Sequence, residues 1–155
     1  MSVEKKDILL IFDLNKVLVI RKPMSSQYVL RPFVKEFLKY MSSRFKIAIW
    51  TSARKANVLD IINNLFVSNN ISLEFEWYQG RCTKVLNKTI KAKNERGEDR
   101  PVLVKKLSVV WKEFPNYHRG NTVRNNTFIY IYWYYIHVEL MYCFSIYIFV
   151  YLYMY

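Results

Sequence analysis

The chain has 155 residues, with 24 Lys and Arg against 12 Asp and Glu, giving a formal net charge of +12. That length holds one domain with a real core, since a fold of this size buries roughly two-thirds of its unfolded surface. The charge favours polyanionic partners, whether nucleic acid, phosphorylated peptide or an anionic membrane face. Cys82 and Cys143 lie far apart and outside any CxxC pair, which argues against a disulfide framework or a zinc site and for a reducing compartment. The opening MSVEKKD is charged and lacks the apolar core of a secretory signal, and Glu4 and Asp7 run against a mitochondrial presequence.

Residues 8–20 are dense in Ile, Leu, Val and Phe and alternate too little for a half-exposed strand, so they predict a strand covered on both faces, as in a parallel sheet. Pro32 suits a first helical position, and Val34, Phe37, Leu38 and Met41 then recur on one helical face. A second compact apolar run, 46–50, predicts another strand. It breaks at Thr51 and Ser52, whose hydroxyls are placed to cap a helix opening near Ala53 and carrying Val58, Ile61, Ile62 and Leu65 on one side. Ile71, Leu73, Phe75 and Trp77 alternate with Ser72, Glu74 and Glu76, which predicts a third strand with one wet face and a βαβαβ order.

Residues 81–106 carry nine Lys and Arg against three acids, readable as a solvated insertion or as a phosphate-facing surface. Val102 to Val104 form a short apolar strand, and Leu107, Val110, Trp111 and Phe114 a brief helix ending before Pro115. Beyond Thr122 the composition changes to Tyr, Ile, Phe, Val, Met and Leu, with nine of the 13 tyrosines.

A carboxylate at the C-terminal end of a buried parallel strand points into the crevice where open α/β sheets bind ligands, and Asp13 stands there. It is placed to attack phosphorus as a nucleophile, with a divalent metal to screen the anions and a second group to protonate the leaving oxygen. Asn15 fills that second position, and an amide cannot give up and retake a proton near neutral pH, a loss on the order of 10²- to 10⁴-fold in rate. Thr51 and Ser52 are placed for phosphate binding at a helix N-terminus, and Lys105 for a fixed positive charge on the same phosphate. Taken singly, each also reads as a loop opener, an N-cap or a surface lysine.

Together, FDLNKVLV, the segment RPFVKEFLKYMSSRFKIAIWTSA and VKKLSVVW resemble the haloacid dehalogenase superfamily, in its branch of RNA polymerase II C-terminal-domain phosphatases. The resemblance implies an α/β, Rossmann-like fold: a central, mostly parallel sheet with helices on both faces, incomplete at its last strands. The phosphatase-like domain would span 1–122, with an insertion over about 71–101. It further implies Asp13 as nucleophile and metal ligand, Asn15 at a degenerate general-acid position with its backbone carbonyl toward Mg2+, Thr51 and Ser52 on the phosphate, and Lys105 steadying the phosphorylated intermediate. The partner would be a phosphorylated protein or peptide, not nucleic acid, in the nucleus or cytoplasm. The family's last motif is a strand ending on one or two acids, expected to begin near Asn121 and Thr122. No aspartate follows Asp99, so magnesium is expected to be held weakly or not at all and catalysis to be impaired.

An alternative is a subunit of the mitochondrial inner-membrane presequence translocase, whose soluble domain resembles the same fold with degraded motifs. For residues 123–155 three readings stand: translation of an unspliced intron, since Val123 and Arg124 are encodable by a splice-donor-like GTA AGA; a membrane segment within 127–155, of which 140–155 is uncharged but slightly short of a span; or an added hydrophobic strand layer prone to aggregation.

Overall fold

The computed structural model describes residues 6–21, 27–85 and 102–125. Its centre is a four-stranded, all-parallel sheet of β1 (Lys6–Phe12), β4 (Phe45–Trp50), β5 (Glu76–Trp77) and β8 (Thr122–Asn125), in the order β5-β4-β1-β8. Between β1 and β4 run a two-stranded antiparallel ribbon, β2 (Val19–Arg21) with β3 (Tyr28–Leu30), and the helix α1 (Val34–Arg44). The helix α2 (Leu59–Leu65) follows β4, and a second ribbon, β6 (Thr83–Val85) with β7 (Val102–Val104), leads into α3 (Leu107–Glu113) and then β8.

Because side chains alternate along a strand, β1 and β4 feed two cores. Phe12, Ile47 and Ile49 pack on one face with Val34, Leu38 and Met41 of α1 and Ile61, Ile62 and Leu65 of α2. Leu9, Ile11, Ala48 and Trp50 pack on the other with Val110 of α3, Phe75, Trp77 and Tyr117. The sheet is therefore covered by helices on both faces, as the unalternating apolar strands predicted.

Three local expectations are corrected. The first strand ends at Phe12: Leu14, Val17 and Leu18 are buried in a tight loop, with Leu18 N and Val19 N donating to Leu14 O and with Lys16 at φ 65°. Apolar density there reflects a loop packed into the core, not an extended chain. The helix after Thr51 does not open near Ala53; a 3₁₀ turn at Lys55–Asn57 intervenes and α2 begins at Leu59. The alternating run 71–77 contributes only Glu76–Trp77 as strand, because Ile71 and Leu73 pack on the α1/α2 side and Phe75 and Trp77 on the α3 side. A continuous strand would keep all four on one face; this segment instead turns over the sheet edge.

At the other edge, β8 straddles the boundary expected at 122: Val123, Arg124 and Asn125 pair with Leu10, Ile11 and Phe12 of β1. Among the described residues no helix is long and apolar enough to cross a membrane. Residues 126–155, on which the membrane reading turns, and the cationic positions 88–100 lie outside the described residues.

Candidate active site

The chain passes from β1 to β4 to β5 on one side, then returns to place β8 on the other side of β1. Strand order thus reverses beside β1, and a parallel sheet opens a crevice at the carboxyl ends of its strands at such a point. Asp13 is the first residue past β1, and its backbone N–H donates to Asn125 O at 3.2 Å, tying it to the end of β8.

The Asp13 carboxylate has two partners. Oδ1 accepts from the Leu14 backbone N–H at 2.7 Å, and Oδ2 accepts from Lys105 Nζ at 2.6 Å. The ion pair is largely withdrawn from water, with the lysine side chain 8% and the aspartate side chain 20% exposed. Lys105 lies between β7 and α3, so ninety-two residues of separation close into one contact through the packing of α3 against the sheet.

Thr51 leaves the end of β4, beside β1, and is 1% exposed. Its backbone N–H donates to Trp77 O at 2.8 Å, and its hydroxyl accepts from Ala53 N at 3.3 Å. That is a local turn and not the cap of a regular helix, which begins only at Leu59. Ser52 is exposed, as is Asn15, which forms an isolated bridge with Val19. The loop carrying Asn15 is held from outside by Arg31, whose guanidinium donates to Lys16 O at 2.7 Å. Of the residues expected at the site, the fold brings Asp13 and Lys105 into contact, sets Thr51 on the neighbouring strand end, and leaves Asn15 and Ser52 at the surface.

Three further residues border the pair. Arg124 is opposite Ile11 in the register and donates to the backbone carbonyl of Lys105. Asn125 is opposite Phe12 and has a buried Oδ1 with no hydrogen-bond partner. Cys82 is buried, with its Sγ 4.0 Å from Thr51 O. Burial pushes the Cys82 thiol above its ordinary value, against the opposing pull of the Trp50 indole and the Lys105 ammonium, and Asp13 raises it further. A search for carboxylates after Asp99 passes over Arg124 and Asn125. The signal available was positional, since they occupy the strand end where the last motif was expected.

The magnesium ion implied by the resemblance does not fit these residues. A hard divalent cation needs several oxygen ligands with net negative charge, and among the described residues no group of three or more His, Cys, Asp or Glu converges anywhere. Asp13 is the carboxylate of the crevice, and it is already neutralised by Lys105. Arg124, level with Ile11, carries no oxygen ligand to that face, and Asn125, opposite Phe12, leaves its strand on the other face.

Residues 8–128 match the model of the NLI interacting factor-like phosphatase family. No curated protein matches the chain in sequence. Among solved structures it is similar to the fission yeast RNA polymerase II CTD phosphatase Fcp1-R271A bound to beryllium fluoride, at 12% identity and a TM-score of 0.47, covering 76% of this chain and 36% of that one. A second, of Fcp1, described as an essential RNA polymerase II CTD phosphatase, is similar at 12% identity and a TM-score of 0.43, covering 80% and 43%. The chain therefore spans less than half the length of these structures.

Proposed function

Because this chain belongs to the NLI interacting factor-like phosphatase family, we propose that its crevice recognises phosphoserine or phosphothreonine in protein, with aspartate-based hydrolysis impaired or lost. The observation that carries this reading is the 2.6 Å pairing of Lys105 with Asp13 at the strand-order reversal. The ammonium cancels the charge of the carboxylate, so a phosphate approaching Asp13 meets no net repulsion from the pair. Asp13 is the group for in-line attack on phosphorus, and Thr51, with its backbone at the next strand end, borders the same crevice. By its place two residues after Asp13, Asn15 is the family's proton-donor position. Its amide donates a hydrogen bond but no proton, so the leaving oxygen departs as an alkoxide, which is what slows the reaction.

The experiment compares binding of a phosphoserine peptide and of its unphosphorylated twin to the purified full-length chain, together with phosphate release by wild type and Asn15→Asp. The phosphorylated peptide should bind more tightly, Lys105→Met should erase that preference, and Asn15→Asp should raise phosphate release by at least about tenfold. Equal affinity for the two peptides would refute phosphate recognition. Equal release by both Asn15 forms would remove the general-acid argument.

A further inference from the structure

We propose that Lys16 and Arg54 read acidic side chains beside the phosphate, so that the partner is a phosphopeptide with Asp or Glu within about three residues of its phosphoserine. The inference rests on the phosphate-recognition reading above and names its substrate class.

A peptide that brings its phosphate to Asp13 lies across the loops leaving the carboxyl ends of the parallel strands. Those after β1, β4 and β5 read DLNKVL (13–18), TSARKANV (51–58) and YQGRC (78–82), and they carry Lys16, Arg54, Lys55 and Arg81 with Asp13 as their sole acid. Arg81 pairs with Glu113 and stacks over Trp77, and Lys55 lies over the ring of Tyr78, whose hydroxyl donates to Glu76. Lys16 and Arg54 are exposed, and neither takes part in the ion pairs of the described residues, which join Arg81 to Glu113 and Lys105 to Asp13. The next acid after Arg54 is Asp60, in the first turn of α2, and it is not paired with Arg54 either.

Both cations are fixed at the root and free at the tip. Lys16, at φ 65°, donates its backbone N–H to Val19 O and accepts from Arg31 on its own carbonyl, which leaves the ammonium to solvent. The Arg54 carbonyl accepts from Asn57 N, and the carbonyl of Ala53 before it accepts from Gln79 N. Phe12 is level with Ile49, so the two cations stand four residues beyond the ends of adjacent parallel strands, one on either side of the crevice that holds Asp13. Strands lie about 4.8 Å apart and an extended peptide advances about 3.3 Å per residue, which puts long side chains from these loops within reach of positions up to about three from the phosphoserine. Exposed ion pairs are weak and screened by salt, so their effect is selectivity and not the bulk of the affinity, about two- to fivefold for each pair.

The test is calorimetric titration of three peptides into the full-length chain: a phosphoserine flanked by glutamates, the same phosphoserine flanked by alanines, and the glutamate peptide without phosphate. The acidic phosphopeptide should bind about fivefold more tightly than its alanine twin, with the gap closing as salt rises from about 0.05 to 0.5 M. Lys16→Gln combined with Arg54→Gln should abolish the gap and keep the affinity for the alanine phosphopeptide, whereas Lys39→Gln, an exposed cation on α1, should leave the gap intact. Equal wild-type affinity for the two phosphopeptides would overturn the inference and leave phosphate recognition standing. So would a gap that survives the double substitution, or one that Lys39→Gln narrows as much, since the attraction would then belong to the whole charge of the chain. Phosphopeptides that bind no better than the unphosphorylated peptide would overturn the inference together with the reading beneath it.

Discussion

Removing the Lys105 side chain tests whether the Asp13 pair holds the crevice together or merely decorates it. At 2.6 Å the Coulomb energy of two unit charges is about 6 kcal/mol at an effective dielectric of 20 and about 1.6 kcal/mol in water. With the lysine 8% and the aspartate 20% exposed the site lies between these limits, nearer the first. Desolvation offsets much of the attraction, so the informative quantity is the cost of stranding one partner, about 3–5 kcal/mol for a fully buried pair. Asp13 keeps some water and the Leu14 N–H, which brings the expected loss for Lys105→Met to about 2–3 kcal/mol. Asp13→Asn strands the less exposed ammonium and should cost about as much. The double variant leaves no charge behind, and should be less damaged than the two losses added together by about 1.5–2.5 kcal/mol. Urea unfolding of the four proteins measures this coupling. A value below about 0.5 kcal/mol, the scatter of independent sites, would mean that the two groups do not hold one another and that the charge arithmetic of the crevice is wrong.

Phe33, at the N-terminal boundary of α1, adopts φ 57° while the residue is 58% exposed, so it carries left-handed strain with little packing to offset it. Phe33→Gly should raise stability by about 0.5–1 kcal/mol in the same unfolding assay, and a loss would show that the ring contributes more than its exposure implies. The Cys82 thiol is held above its ordinary value of 9.0 by burial. The folded state therefore retains the proton longer than the unfolded chain, and this contribution to stability is full below that pH and lost as pH rises through the raised folded value. Cys82→Ala has no thiol to ionise, so the melting-temperature advantage of wild type over the variant should shrink on passing from neutral pH to above pH 9.0. An advantage independent of pH would refute the burial argument.

Periodicity and apolar density made the framework legible. The runs at 8–12 and 45–50 lack alternation because both faces are covered, and that is a property of composition alone. Spacing likewise exposed α1, whose buried Val34, Leu38 and Met41 recur at helical intervals, and α3, whose buried Val110 is flanked on the same core by the partly buried Leu107 and Trp111. The end of β1 was not legible in the same way, because Leu14, Val17 and Leu18 are as apolar as the strand before them and differ only in backbone path. Nor was the breakdown of the run 71–77, since alternation records what each residue prefers and not which of two cores is within reach.

For the site, the sequence by itself determined the inventory: Asp13 at a strand end, an amide at Asn15, Lys105 ahead of a helix, and no aspartate after Asp99. Tertiary structure alone decided which of these meet. Lys105 reaches Asp13 because α3 docks on the Ile11 face of the sheet, and Arg124 joins them because β8 pairs with β1 in a register that sets it level with Ile11. Charge at a point in space is a sum over residues distant in the chain. Which charged groups meet at that point is fixed by strand register and helix docking, which no local stretch of sequence encodes.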